Sequence, residues 1–165
     1  MKKSTAIIGV LASLMPIGEP LIIGTGTLLT SAAVMLSASV KAQTENAVFY
    51  YNRGIDKYDA GDYYGAISDY TKAIEINPKD EQAYYNRGWV KGKLKDNYGA
   101  ISDYTKAIEI KPNYAKAYYN RGYAKHNLKD YYGSISDYSK AIEINPADAE
   151  AYGNRGLVKE LIGDM

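Results

Sequence analysis

Side chains that catalyse reactions or bind metals are sparse in this chain, and most of those present recur at a fixed interval. The sequence contains no cysteine and one histidine, His126. We interpret that isolated histidine as a surface residue, because no partner for catalysis or metal binding accompanies it. Two sets of carboxylates recur every 34 residues: Asp69, Asp103, Asp137, Glu75, Glu109 and Glu143. A group that recurs in every unit is more typical of the fold than of a catalytic site. The sequence therefore predicts no enzymatic activity, no cofactor and no metal site.

Longer sequence segments repeat at the same interval of 34 residues. The pentapeptide YYNRG begins at residue 50 and returns at 84 and 118, with a fourth version, YGNRG, at 152. The decapeptide ISDYTKAIEI and its variant ISDYSKAIEI occupy 67–76, 101–110 and 135–144. The repeating units are 47–80, 81–114, 115–148 and the partial unit 149–165. A fixed period of this length predicts stacked structural units rather than one globular core.

Within a unit, the apolar residues are spaced as on two short amphipathic helices. In the second unit, Ala100, Tyr104 and Ala107 lie on one stripe of the second helix. An aspartate at the break before each second helix has the place of an N-cap: Asp62, Asp96 and Asp130. A proline closes each unit, because proline cannot continue a helix. One such pair cannot bury its apolar side alone, so neighbouring pairs must stack.

The small and aromatic residues of these units resemble the tetratricopeptide repeat family over about three quarters of the chain. The family's order is aromatic, glycine, alanine, aromatic, alanine and proline. The first unit matches it with Tyr50, Gly54, Ala66, Tyr70, Ala73 and Pro78. The next two units keep the pattern, except that Ser134 replaces an alanine. The resemblance implies an all-α fold, an α-solenoid of stacked antiparallel helix pairs that forms a right-handed superhelix of about three and a half repeats.

The resemblance also implies a non-catalytic module that binds a peptide segment of a partner protein in a concave groove lined by the first helices. Carried over position by position, the groove residues are Tyr51, Asn52, Ile55, Tyr85, Asn86, Trp89, Tyr119, Asn120 and Tyr123. Tyr58 and His126 extend this surface. Aromatic side chains have few rotamers and a polar edge, which suits contact with an extended peptide. The alternative role of Tyr85, Trp89 and Tyr119 is packing against neighbouring first helices.

The asparagines of this set have two candidate roles. In several members of the family, an asparagine ladder holds the backbone amides of a peptide, since the side chain offers both a donor and an acceptor. The alternative is that each asparagine ties one helix pair to the next. The resemblance does not extend to the clamp that binds chaperone C-termini. That clamp has lysine, asparagine and a basic residue where this chain has Tyr51, Ile55 and Asn120.

An arginine follows each of these asparagines, where the family commonly has an apolar residue. Arg53, Arg87 and Arg121 recur together with the aspartates of the second helices. Because arginine and carboxylate can form two parallel hydrogen bonds, we expect each arginine to pair with the aspartate of its own unit.

Residues 1–42 differ in composition from the repeats and predict either a secretory signal or a membrane anchor. Lys2 and Lys3 precede an apolar run, and the small residues Val40 and Ala42 resemble a cleavage site with cleavage after Ala42. Residues 20–40, 21 positions without a charge, are long enough to cross a bilayer. The repeat domain, 43–165, is then expected to be either exported to a periplasmic or lumenal space or anchored to a membrane. A disordered cytosolic tail fits less well, because such tails are polar.

The charges of the chain are balanced. Twenty basic and 19 acidic residues give a formal net charge of +1, and both signs are mixed along the repeats. Such a surface has no electrostatic footprint for nucleic acid, so the predicted partner is a protein or a peptide.

The last helix suggests a second, alternative function. It carries Leu157, Val158, Leu161 and Ile162. A capping helix should be polar on its outer side, whereas this helix is expected to expose apolar surface. The alternative is therefore a self-associating module that forms homo-oligomers through this helix.

Overall fold

The computed structural model describes the backbone of residues 27–163 and, within that range, the side chains of 35–41 and 44–163. This part of the chain is helical and contains no strand. The helices are α1 Thr27–Asp59, α2 Tyr63–Ile76, α3 Glu81–Lys93, α4 Asn97–Ile110, α5 Ala115–Asn127, α6 Tyr131–Ile144 and α7 Ala149–Leu161. The chain divides into two units, Met1–Ser39 and Val40–Met165, and the repeats lie in the second.

In the second unit the helices form consecutive pairs that stack. The first helix α3 packs on α4, and α5 packs on α6. Each second helix also packs on the first helix of the following pair, as α4 does on α5, and the first helices α3 and α5 contact each other. The prediction of an all-α solenoid of stacked helix pairs is therefore confirmed.

The predicted start and stop residues of the second helices are also found. The carboxylates of Asp62, Asp96 and Asp130 accept a hydrogen bond from the backbone N–H three residues later, at 2.9–3.0 Å. This bond satisfies one of the free amides at a helix start. At the other end, Asn77 has φ −124° and ψ 86°. That conformation is non-helical because Pro78 excludes the helical region for the residue before it.

The first helix is longer than the repeat boundary at residue 47 suggests, since α1 begins at Thr27. No glycine or proline lies between Thr27 and Arg53, and no break such as Pro78-Lys79-Asp80 precedes the first unit. Helix can therefore continue upstream without interruption.

Residues 1–26 of the predicted signal or anchor segment lie outside the described part of the chain. No helix in the part that is described, 27–163, combines the length and apolarity needed to span a bilayer.

Close helix crossing depends on the glycine of the repeated pentapeptide. A Cβ atom at Gly88 would lie 3.1 Å from the ring of Tyr104, and one at Gly54 would lie 2.7 Å from the ring of Tyr70. The tyrosine rings therefore occupy the space that a side chain at the glycine would need. In the next layer, Val90 packs on Ala66 and Tyr70, which joins the second pair to the first.

The arginine–aspartate pairing is confirmed in all three complete pairs. Arg87 donates to both oxygens of Asp103 from Nε at 2.9 Å and Nη2 at 2.7 Å. Lys91 Nζ lies 2.7 Å from the same carboxylate, a contact that was not predicted from the sequence. The equivalent clusters are Arg53–Asp69–Lys57 and Arg121–Asp137–Lys125.

These clusters make stability depend on pH in the acidic range. Hydrogen bonding from Arg53 lowers the pKa of Asp69 to about 2. The stability that this cluster contributes is therefore present above pH 4 and is lost as pH falls toward 2.

The turn inside each pair gives a testable prediction. Lys95 and Lys129 have φ of 64° and 63°, at the place where the first pair has Gly61 with φ 79°. Because glycine reaches this region without strain, Lys95→Gly is expected to raise the free energy of unfolding by about 0.5–1 kcal/mol in urea denaturation. Lys106→Gly, inside α4, is the control and should lower it by about 1 kcal/mol. Equal losses for both variants would contradict this interpretation.

Candidate functional site

A row of hydrogen bonds joins the first helices of successive pairs. Nδ2 of each asparagine donates to the hydroxyl of a tyrosine one repeat earlier, at 2.8–2.9 Å. The bonds are Asn86–Tyr51, Asn120–Tyr85 and Asn154–Tyr119. We call this set the Tyr–Asn row. The asparagines thus make the contact between pairs that was one of their two expected roles.

The tyrosines of the Tyr–Asn row are half-buried and remain neutral at physiological pH. Burial raises the pKa of Tyr51, Tyr85 and Tyr119, and the hydrogen bond from the next asparagine opposes that rise. A neutral phenol can accept from asparagine and still donate its own proton. Tyr51 does so, since its hydroxyl donates to Oε1 of Gln82 at 3.2 Å.

Two open cavities lie along the first helices, and Trp89 contributes to both. The larger, of about 520 Å³, is lined by residues that include Trp89, Lys93, Lys95, Asn97, Asn120 and Tyr123. The smaller, of about 370 Å³, is lined by Ile55, Tyr58, Asp59, Tyr70, Tyr85, Asn86, Trp89 and Val90. We call the two cavities together the groove. It gathers six of the predicted site residues: Ile55, Tyr85, Asn86, Trp89, Asn120 and Tyr123.

The other three predicted residues lie elsewhere. The rings of Tyr51 and Tyr119 pack against Tyr70 and Tyr138 at centroid distances of 5.8 and 5.6 Å, and neither residue lines a cavity. Asn52 is exposed and also lies outside both linings.

Trp89 is held in place while its face stays accessible. Its Nε1–H donates to the hydroxyl of Tyr58 at 2.8 Å, and Lys93 Nζ lies 4.8 Å from the ring centroid. The side chain remains 36% exposed. A fixed, partly exposed indole loses little conformational entropy on binding, as a contact residue for a peptide should. His126, which was expected to extend this surface, instead packs its ring on Tyr131 at 5.8 Å and lines neither cavity.

The polar wall of the larger cavity was not predicted from the sequence. Lys93, Lys95, Asn97 and Asn127 line it, and Asn127 Nδ2 donates to Asn97 Oδ1 at 3.4 Å. Lys93 could have been inferred, because it lies one turn after Trp89 on the same helix face. Lys95 and Asn97 belong to the turn and the start of α4, where helical periodicity carries no information.

Only some of the apolar residues that were expected to be exposed at α7 are exposed. Leu157 and Leu161 are 51% and 56% exposed, and Ile162 is half-buried. Val158 differs from the expectation, because only 1% of it is exposed. It has the repeat position of Val90, which packs on the second helix of the preceding pair, so Val158 belongs to the core and not to an exposed surface.

Comparison with known proteins identifies the family. A model described as "Tetratricopeptide repeat" matches residues 115–148, and one described as "TPR repeat" matches 56–95 and 91–129. No curated protein sequence matches the chain.

Several solved structures share the fold. The first TPR of Spaghetti (RPAP3), bound to the HSP90 peptide SRMEEVD, is 27% identical with a TM-score of 0.71, covering 73% of this chain and 95% of that one. The Arabidopsis OM64 TPR domain is 26% identical with a TM-score of 0.69, covering 72% and 98%. MamA is 27% identical with a TM-score of 0.71, covering 78% and 75%. Since the family models together span 56–148, more than half of the sequence, the chain belongs to the tetratricopeptide repeat family.

Proposed function

We propose that this protein binds an extended segment of a partner protein along the groove. The family is generally a non-catalytic protein-interaction fold, and one similar structure, the first TPR of Spaghetti, is bound to an HSP90 peptide. In this chain the groove combines aromatic faces with amide groups, which is the composition of a peptide-binding surface.

The observation that carries the proposal is the geometry of the Tyr–Asn row. Nδ2 of Asn86 and Nδ2 of Asn120 are already used by tyrosine hydroxyls. Their Oδ1 atoms have no hydrogen-bond partner within the described part of the chain, and neither is a fully buried atom. Each fixed amide therefore keeps one acceptor for a backbone N–H of a bound segment. The same asparagine both ties two pairs together and contacts the peptide, so the two roles considered for it are compatible.

The chemistry of the segment follows from the larger cavity. Lys93 and Lys95 lie in its lining, which includes no carboxylate, and Trp89 and Tyr123 supply the apolar faces. We therefore expect a segment with an apolar or aromatic residue close to an acidic one. Capture of a terminal carboxylate by a chaperone-type clamp is not part of the proposal, because Tyr51, Ile55 and Asn120 do not supply its cationic groups.

Peptides selected from a random library against the full chain test this function. Asn86→Ala and Asn120→Ala are each expected to weaken binding of a selected peptide about tenfold in fluorescence anisotropy, because each removes a fixed acceptor. Tyr98→Ala is the control, since Tyr98 lies on second helix α4 and is 76% exposed. It should leave the affinity unchanged.

The same variants separate binding from folding. Loss of one Tyr–Asn hydrogen bond should lower the free energy of unfolding by about 1 kcal/mol, which leaves the protein folded. A loss of affinity that disappears after correction for the unfolded fraction would show that the asparagines act only in the fold.

We also propose that the groove operates after export or at a membrane surface. The support is the sequence of residues 1–42, with its basic start, its apolar run and the small residues before Gln43. Mass spectrometry of the protein purified from the cell that makes it is expected to give Gln43 as the N-terminus. A retained Met1 in a membrane fraction would indicate an anchor, and a retained Met1 in the soluble cytosolic fraction would contradict both forms of the proposal.

A further inference from the structure

In the second and third pairs, the two sides of the arginine make different contacts. In the second pair, Nη1 of Arg87 donates to the hydroxyl of Thr71 at 3.0 Å, and Thr71 belongs to the preceding pair. The opposite edge, formed by Nε and Nη2, binds Asp103. Arg121 repeats this arrangement, with Nη1 on Thr105 at 3.1 Å. The preceding pair thus orients the guanidinium, and the following second helix supplies the carboxylate.

On α7 the orienting contact is present, but the carboxylate is not. Nη1 of Arg155 donates to the hydroxyl of Ser139 at 3.3 Å, in the manner of Arg87 on Thr71. Its Nε–Nη2 edge has no carboxylate partner within 27–163. Lys159 has the repeat position of Lys91 and likewise makes no ion pair within that range. The equivalent arginine and lysine share one aspartate in each complete pair, whereas Arg155 and Lys159 have no such carboxylate within 27–163.

The surface beside Arg155 also leaves open the space that a tyrosine ring fills in the complete pairs. A Cβ at Gly156 would have no atom within 4 Å, whereas one at Gly122 would meet the ring of Tyr138 at 3.1 Å. Gly153 stands where the other units have a tyrosine and has the same open surroundings. We call the surface of Gly153, Arg155, Gly156 and Lys159 the α7 face.

We propose that the α7 face binds an amphipathic helix of a partner protein in which an aspartate is followed directly by an aromatic residue. The aspartate would reach Arg155 and Lys159, and the ring would cover Gly156, as Asp103 and Tyr104 do in the second pair. Charge complementarity and the open glycine both require this combination. It is a second binding surface, separate from the groove.

A second copy of the chain is the less suitable occupant. Asp69, Asp103 and Asp137 are at most 3% exposed and already paired within their own repeats. A copy could offer one of them only by opening a helix pair, which would break a buried ion pair at a cost of several kcal/mol. Contact between exposed leucines alone would leave Arg155 and Lys159 without a carboxylate.

A helical peptide with the sequence of residues 97–112 tests the proposal. Ser102→Glu in the peptide allows a lactam with Lys106, and because both positions are exposed in α4 the bridge keeps the peptide helical without touching its binding side. We expect saturable binding to the full chain in fluorescence anisotropy. Asp103→Asn in the peptide, or Arg155→Ala in the protein, should weaken it at least tenfold.

Gly156→Leu should abolish this binding while the free energy of unfolding stays unchanged or rises, because no atom lies near the added side chain. Asn86→Ala and Asn120→Ala, which alter the groove, should leave it intact, so the two surfaces are tested separately. The proposal is overturned by an absence of saturation up to about 1 mM peptide. Equal affinity of the aspartate and asparagine peptides would also overturn it. So would light scattering that shows a dimer disrupted by Gly156→Leu and insensitive to the peptide, since the face would then belong to a second copy.

Discussion

Replacing Asp103 with alanine is expected to lower the free energy of unfolding by about 3 kcal/mol. The substitution leaves Arg87 and Lys91 facing each other across a buried space without their shared carboxylate. Removal of one partner of a buried ion pair typically costs about 3–5 kcal/mol. The lower end applies here, because the side chains of Arg87 and Lys91 are 15% and 22% exposed and can shift toward water. Urea denaturation followed by circular dichroism measures the change.

A matched control on the same helix is Glu109→Gln. Glu109 pairs with Lys106 at 2.6 Å, a contact at least as short as those of Asp103, but both side chains are 55% exposed. Exposed pairs contribute little, so the control should change the free energy of unfolding by less than about 0.5 kcal/mol. Asp103→Asn, which keeps the size of the side chain, should still cost more than the control. A loss below about 1 kcal/mol for both Asp103 variants would mean that these clusters do not hold the pairs together.

Raising the pH from 10 to 12 is expected to unfold the repeats. Burial raises the pKa of Tyr138 from 10.0 to about 12, and burial raises the pKa of Tyr70 and Tyr104 further. A group with a raised pKa in the folded state contributes stability that is present below pH 10 and is lost as pH rises toward the folded value. At pH 12 the loss is about 2–3 kcal/mol for each of these tyrosines. The sum approaches the whole stability of a typical domain.

Tyrosinate absorbance and helical circular dichroism, followed in one titration, measure this effect. The absorbance of the buried tyrosines should rise together with the loss of helix, because they can ionise only when the packing opens. Tyr138→Phe removes one of these groups and should move the unfolding midpoint to higher pH. Full ionisation near pH 10 with the helix content intact would contradict the burial of the rings.

The second helices and their contacts could be predicted from the sequence because their determinants are local and recur. Asp96 caps α4, Pro112 follows its end, and Arg87 recurs together with Asp103 at a constant distance. The lysine of each cluster recurs with the same period, so Lys91 could have been included in the pairing. It was missed because two cations on one carboxylate are not implied by any local rule.

Other features depend on neighbours that periodicity does not describe. Val158 looks like the exposed leucines of α7 in sequence, yet it is buried because the preceding pair covers that side of the helix. Tyr114 takes the cap position that Asp80 and Asp148 have before α3 and α7, and it makes no side-chain cap. Its ring packs on Tyr85 at 5.0 Å instead. Packing across pairs replaces local capping at that position.

Only part of the groove could be predicted, because some of its lining depends on how neighbouring pairs stack. The columns of the first helices identify Tyr85, Asn86, Trp89 and Asn120, since residues four apart share a helix face. The turn residues that close the larger cavity, such as Lys95, depend on how the pairs stack. These turn residues add positive charge to a surface for which the sequence predicts only aromatic and amide side chains.

Fluorescence of Trp89 shows whether the groove is the surface that binds the partner segment. The chain has one tryptophan, and it lies where the two cavities meet, so its emission reports occupancy of the groove. Titration with a library-selected peptide should shift that emission along a saturating curve whose dissociation constant equals the one from anisotropy. A peptide that saturates the protein in anisotropy while the Trp89 emission stays constant would show that the binding surface lies outside the groove.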